Sequence, residues 1–250
     1  MKILFRLFLL VAIAAPQCRT VRADDVLALT TGSNYAPYTD ESLPQGGIVT
    51  QVVVRAFQAI HQKTSIVWLP WARGYQATMD GEFAATFPYV HTADRDAVNL
   101  YSEPLITIKS TIFARPDSGV DARHLTSFEN KTLCLPVGWG IDLPFNKLVE
   151  DKRMRVERPT DLSSCARMVA VGRADLFVTD VIQGRAAMRD AGVVSGEIVE
   201  GPRPFADVTM HLLAPRSDPK SAKMIERFNA GLKALKDSGA YDAIMTGRAK

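Results

Sequence analysis

The chain has little from which to assemble a metal or catalytic centre by familiar spacing. Its four histidines, His61, His91, His124 and His211, are scattered, with no HExxH and no pair at ligand spacing. No GxSxG nucleophile turn, phosphate-cradling glycine loop or Cys-His nucleophile pattern occurs. The expectation is therefore a protein that is not an enzyme and carries neither a metal nor a cofactor. An excess of one charge is missing as well, since 30 Lys and Arg are interspersed with 27 Asp and Glu. Nucleic acid is held by clustered cations that displace counterions, so no nucleic-acid partner is expected. Cysteine is scarce, at three residues, and beyond the first fifteen positions no apolar run reaches the length of a membrane span.

What is present begins at the amino terminus. Lys2 and Arg6 precede an apolar stretch, residues 7–15, that is too short to span a bilayer as a permanent helix. Val21-Arg22-Ala23 places small side chains three and one residues before a cut, so residues 1–23 read as a signal peptide cleaved after Ala23, with export to the periplasm. Lipidation at Cys18 would want small residues directly before it, and Ala15-Pro16-Gln17 stands there. The leader holds Lys2, Arg6, Arg19 and Arg22 and no acid, so the +3 of the full chain becomes −1. Of the 250 residues, 227 follow Ala23, enough for one large domain or two small ones, and a soluble monomer is expected. In an oxidising compartment Cys134 and Cys165, 31 residues apart, are expected to pair; two buried free thiols are the alternative.

Short β-rich runs then alternate with helical periodicity, the mark of parallel strands joined by crossover helices. Residues 26–30 read as a strand. Val49, Val52, Val53, Ala56, Phe57 and Ile60 fall on one helical face. A strand over 65–69, a helix over about 71–79 closed by Gly81, and a strand near 83–87 complete a βαβαβ set. Residues 106–114 alternate apolar and polar as one long strand into a turn-rich break at 115–119. A second set follows: strand 132–135, helix 142–149, strand 153–157, a helix capped by Thr160 with Leu162, Cys165, Ala166 and Val169 inward, strand 175–179 and helix 181–189. Val208, Met210, Leu212 and Ala214 line another long strand, and Asp218-Pro219 starts a helix with Ile225, Phe228, Leu232 and Leu235 inward.

The plan is an α/β protein of two lobes, each a mixed, mostly parallel sheet flanked by helices. Residues 24–113 and 214–250 form lobe 1 and 114–213 an inserted lobe 2. Long strands near 106–114 and 208–214 form a two-strand hinge, with the site expected in the cleft between the lobes.

Several segments resemble the periplasmic solute-binding proteins of polar amino acid ABC transporters, extracellular solute-binding protein family 3. They are Leu69-Pro70-Trp71-Ala72-Arg73, Phe87-Pro88-Tyr89, Thr92-Ala93-Asp94-Arg95, Tyr101-Ser102-Glu103-Pro104-Leu105, Gly172-Arg173-Ala174-Asp175-Leu176 with Thr179-Asp180, and Asp237-Ser238-Gly239-Ala240-Tyr241 with Ile244. The likeness spans nearly all of the chain after the leader, and its strength lies in the order of the segments. It implies a periplasmic-binding-protein-like fold, a small polar solute (an amino acid or related carboxylate) and a membrane permease as partner. It also implies roles for particular residues. Arg95 matches the arginine that grips the ligand carboxylate, a task suited to a fork donating two parallel hydrogen bonds; the alternative is a surface pair with Asp94 or Asp96. Asp180 matches the aspartate that receives an ammonium, or else caps the following helix. Tyr35 and Tyr38, in an exposed loop, would sandwich the ligand. Pro88 and Tyr89 match the stretch whose backbone lines the cleft, while Trp71 and Arg73 reach either the cleft or a helix face and solvent.

Two departures concern the ligand. The family's first helix usually starts Gly-Phe-x-x-Asp, where this chain has Gly47-Ile48-Val49-Thr50-Gln51. The glycine and small hydroxyl residue that help hold a carboxylate are replaced by Gly138-Trp139-Gly140, whose indole would instead stack on a ring or cation. Other readings are a periplasmic dehydratase of cyclic carboxylates on the same fold and an accessory protein docking on a periplasmic enzyme. A kinase sensor lobe is not expected, since a span and kinase domain would have to follow Lys250.

Overall fold

A computed structural model of the chain describes residues 26–141 and 143–247. The expected leader, its cleavage after Ala23, Cys18 and Asp142 lie outside the described residues.

The first lobe is built from β1 (Val26–Thr31), α1 (Ile48–Ala59), β2 (Lys63–Trp68), α2 (Trp71–Met79), β3 (Ala85–Tyr89), α3 (Ala93–Val98) and β4 (Asn99–Tyr101). β5 (Ile106–Ala114) leaves it for the second lobe, which contains β6 (Thr132–Cys134), α4 (Asn146–Glu150), β7 (Arg155–Glu157), α5 (Leu162–Ala170), β8 (Leu176–Thr179), α6 (Val181–Ala191) and β9 (Val199–Glu200). β10 (Ala206–Pro215) returns to the first lobe, where α7 (Ser221–Asp237) and α8 (Ala240–Met245) close the chain. Hydrogen-bonded strand order is β2-β1-β3-β10-β5-β8-β6-β7. β1 is parallel to β2 and β3, and β8-β6-β7 are parallel, whereas β5 and β10 are antiparallel to their neighbours.

The joint between lobes is the pairing of Ile106 to Ser110 in β5 with Met210 to Ala206 in β10. Past Ser110, β5 pairs with β8, and past Met210, β10 pairs with β3 and β4. Accordingly Ile106 and Ile108 pack in the first core while Ile112, Phe113 and Ala114 pack in the second, and Leu212 and Ala214 belong to the first. The strands change lobes a few residues earlier than the 113/114 and 213/214 boundaries read from alternation, because a strand's side-chain period is unchanged as it passes from one sheet to the next.

Lobe 1 is a sheet covered by α1 and α7, which put Phe57 and Phe228 in contact at 4.8 Å. Gly231 permits this approach, since a Cβ there would sit inside van der Waals contact with the Ala56 carbonyl. In lobe 2 the alternation is visible residue by residue. Phe113, Cys134 and Phe177 point to one face, under α5 and α6, while Ile112, Leu133, Leu135, Leu176 and Val178 point to the other with Phe128 and Phe145. A sheet buried on both faces needs apolar residues at successive positions, which these strands have. Cys134 on β6 and Cys165 on α5, both fully buried, meet in the first of these layers as a disulfide.

Four local expectations shift. β3 runs two residues later than 83–87. α5 is capped by Asp161, which accepts from the Ser164 N–H at 2.7 Å, and not by Thr160, whose hydroxyl binds the Asp161 carboxylate. α4 starts at Asn146, whose side chain accepts from the Leu143 N–H and donates to the Ile141 carbonyl ahead of the helix. α7 starts at Ser221, after Asp218 accepts from the Lys220 N–H in a turn.

Candidate ligand-binding cleft

The ends of β3 and β8, the paired stretch of β5 and β10, and the segment from Leu135 to Gly140 after β6 converge on one cavity between the lobes. Its cavity volume is about 80 Å³, and the empty space counted out into open solvent is about 660 Å³. This is where open α/β sheets present ligands, beyond the carboxyl ends of their strands.

Of the residues singled out in the sequence, Arg95, Tyr35, Pro88, Tyr89, Trp71, Gly138 and Trp139 line this cavity. Arg95 is 8 % exposed and accepts no ion pair from the neighbouring acids: among the described residues no carboxylate stands within 4.0 Å of its guanidinium, and Asp96 binds His91 instead. Its Nη2 donates to the Gly138 carbonyl across the cleft at 2.8 Å, and Nη1 donates to the Val90 carbonyl at 3.4 Å. The guanidinium carbon lies 4.8 Å from the Tyr89 ring centre and 5.3 Å from that of Tyr75. Asp94 acts on this guanidinium from beyond ion-pair distance; its direct partners are neutral carbonyls and ring faces, an arrangement that favours the arrival of an anion.

The walls are aromatic. Tyr35 meets Trp71 at 6.1 Å and 88° and Trp139 at 5.2 Å and 78°, and Trp71 meets Tyr89 at 5.9 Å and 77°. Tyr89 donates its hydroxyl to the Trp71 carbonyl, and Tyr35 directs its hydroxyl at the Met210 sulfur. Burial pushes the Tyr89 phenol up to about 12 and, aided by the charge of Asp180, pushes the Tyr35 phenol up as well. Both remain neutral over the physiological range.

Tyr35 and Tyr38 are buried in the lobe 1 core, where an exposed loop was expected. The backbone folds back between Tyr35 and Thr39, so the polar residues of the segment face outward while the two rings face in. Tyr38 stands behind Tyr35, outside the cavity lining, and burial, followed by the charge of Asp180, raises its phenol. Asp180 is buried but also outside the lining. Its Oδ1 accepts from the Ile182 and Gln183 N–H groups at 2.9 and 3.1 Å, so it caps α6. Oδ2 is buried without a hydrogen bond of ordinary geometry, and burial raises the carboxyl above its usual range against the pull of the Gln183 and Ile182 donors. Arg73 is exposed on the outer face of α2.

Lining residues not singled out include Ser110, Thr179, Val208, Met210 and Gly140. The signal for Ser110, Val208 and Met210 was their place on the crossover strands, which necessarily floor the cleft. Arg158, between β7 and α5, was also passed over. It donates to the Trp139 carbonyl at 2.6 Å, and burial followed by repulsion from Arg95 lowers its pKa. Two guanidinium groups thus hold the carbonyls of one short segment, Arg95 from the first lobe and Arg158 from the second.

The lobes are closed on this segment. A Cβ on Gly138, whose φ is +84°, would lie 2.7 Å from the Ala72 nitrogen and 2.9 Å from Trp71 Cβ. Gln183 of α6 donates to the Ala36 carbonyl on the opposite lobe.

No protein-family model and no curated protein matches the chain. Solved structures do. The sensor domain of a histidine kinase with similarity to periplasmic binding proteins superposes with a TM-score of 0.71 at 19% identity, over 90% of this chain and 96% of that one. An amino acid ABC transporter substrate-binding protein from Streptococcus pneumoniae, bound to L-arginine, gives 0.67 at 11% identity over 90% and 94%. An ancestral amino acid-binding protein, a precursor of cyclohexadienyl dehydratase, gives 0.66 at 17% identity over 91% and 96%. The fold is therefore the two-lobed one of periplasmic binding proteins.

Proposed function

We propose that the chain is an exported receptor that captures a small carboxylate-bearing solute between its lobes and delivers it to an ABC transporter permease. One observation carries this reading: Arg95 sits buried on the first lobe, within the cleft, with carbonyl oxygens where a counter-anion belongs. A ligand carboxylate would replace the Gly138 and Val90 carbonyls as the acceptor of the guanidinium fork, converting neutral hydrogen bonds into charge-assisted ones. Closure would follow from contacts that only the closed form provides, with Trp139 and Gly138 coming from lobe 2 and Trp71, Tyr35 and Tyr89 from lobe 1. The disulfide between Cys134 and Cys165 supports folding in an oxidising compartment.

A dehydratase on this fold would need an acid and a base facing its substrate. Among the described residues the titratable side chains lining the cavity are Arg95 and two phenols, both lifted by burial, a set suited to holding a ligand and poorly suited to moving its protons. Small-angle scattering and differential scanning fluorimetry, run with a panel of amino acids and organic acids, test the receptor role. Stabilisation, compaction and unchanged ligand by mass spectrometry are expected. Ligand turnover would replace the receptor with an enzyme, and absence of any stabilisation would end the proposal.

A further inference from the structure

Resting on that receptor reading, we infer that the ligand is a net-anionic carboxylate with a flat apolar ring as its body, an aryl or arylalkyl acid. Three features of the cleft converge on this class.

The first is charge. Arg95 and Arg158 lie close enough to repel each other, and each is held by carbonyl oxygens of the 136–139 segment. Asp94 and Asp96 flank Arg95 outside the lining, where Asp94 acts on both guanidinium groups as a single carboxylate and Asp96 binds His91, and Asp207 beside Val208 is exposed. The remaining described acid next in the chain to a lining residue is Asp180, beside Thr179. It is outside the cavity, one oxygen is committed to capping α6, and burial favours its neutral form. The field inside the cleft is accordingly positive, which attracts an anion and repels an added ammonium or guanidinium.

The second is shape. Tyr35, Trp71, Trp139 and Tyr89 meet at interplanar angles of 77 to 88°, so they form the walls of a box and not a stack. Ile108, Val178 and Val208 from the crossover strands and β8 add apolar surface to the same lining. Flat rings gain most in such a box, by face and edge contacts together.

The third is the segment that closes it. Gly138 and Gly140 flank Trp139, and neither has room for a side chain: a Cβ on Gly140 would lie 2.6 Å from Arg95 Nη1 and 2.7 Å from Val90 Cγ2. Only bare backbone lets this segment lie against Arg95 and Trp71 while Trp139 enters the lining, so the carboxylate grip and the ring contact belong to one cavity.

Phenylacetate, L-phenylalanine, L-arginine and phenethylamine, applied to the wild-type protein in isothermal titration and thermal shift, decide the matter. Phenylacetate should bind at least tenfold more tightly than L-phenylalanine, and phenethylamine and L-arginine should produce no shift. Trp139→Leu, its fold checked by circular dichroism, should lose about tenfold in phenylacetate affinity while Val137→Ala on the outer surface of the same segment does not. Tighter binding of either amino acid than of phenylacetate overturns the ligand class and leaves the receptor standing. If neither these four nor the wider panel binds, the receptor reading falls and takes the ligand class with it.

Discussion

Replacing Arg95 with methionine separates a ligand grip from a structural role, because the two predict opposite patterns of stability and affinity. Methionine keeps an unbranched chain of similar reach against Tyr89 and Tyr75 and removes the charge. In the unliganded protein the substitution forfeits the hydrogen bond to the Gly138 carbonyl at 2.8 Å, roughly 1.5 to 3 kcal/mol for a charged donor. It also forfeits the ring contacts at 4.8 and 5.3 Å, about 0.5 to 2 kcal/mol. Against this stands relief from burying a cation without a counter-anion, an effective penalty of several kcal/mol. The two sides nearly cancel, so the melting temperature of the unliganded protein should move by no more than about 2 to 4 °C, the effect of about 1 kcal/mol in a chain of this size. With ligand the balance changes. Truncating one partner of a buried charge pair costs about 2 to 5 kcal/mol, which corresponds to a loss of roughly 30-fold to several thousand-fold in affinity. Arg95→Lys should fall between, since a point charge offers attraction without the fork. Titration calorimetry and differential scanning fluorimetry on the same preparations supply both readings. A variant melting 10 °C lower with affinity intact would show Arg95 to be a packing residue and refute the reasoning.

Other consequences can be checked in parallel. Replacing Cys134 and Cys165 together with alanine should cost roughly 3 to 4 kcal/mol, from the chain entropy of a 31-residue loop, seen as a lower urea midpoint that reducing agent no longer changes. Gly138→Ala places a methyl against Ala72 and Trp71 at a positive φ, so the closed form should be disfavoured and scattering should report a larger radius of gyration with weakened ligand binding; an unchanged radius and affinity would contradict the closure geometry. Burial works to raise the Asp161 carboxyl, but hydrogen bonds from Ser164, Ser163 and Thr160 outweigh it and hold it at about 2. Because its folded pKa lies below the unfolded value near 3.8, its contribution is present above that value and is lost as pH falls from about 4 to 2. Asp161→Asn should flatten this part of the acid unfolding profile.

Much of the architecture was legible because it is written in local periodicity. The face of α1 from Val49 to Phe57, the inward set of α5 and the alternation in β5 and β10 each follow from spacing within one element. The pairing of Cys134 with Cys165 was expected because they are the two cysteines beyond Cys18 and export to an oxidising compartment was the expectation. Less was legible where a residue's fate depends on what lies across the chain. Tyr35 and Tyr38 look like loop residues among Asn34, Pro37 and Asp40, and are buried because their turn folds onto α1 and the core. Asp180 has the position of a ligand acid, and the cap of α6 claims one of its oxygens while the cavity wall excludes it.

From the sequence alone came most of the strands and helices in their order, though not α3, β4 or β9, as consequences of side-chain periodicity read at short range, while Arg95 became a candidate through the resemblance of its segment. Which groups face one another across the cleft was decided only in three dimensions. The contacts from Arg95 to the Gly138 carbonyl, from Arg158 to the Trp139 carbonyl and between Tyr35 and Trp139 join residues 43, 19 and 104 positions apart. Their geometry depends on how two sheets close about a shared strand pair, and no spacing along the chain encodes that angle.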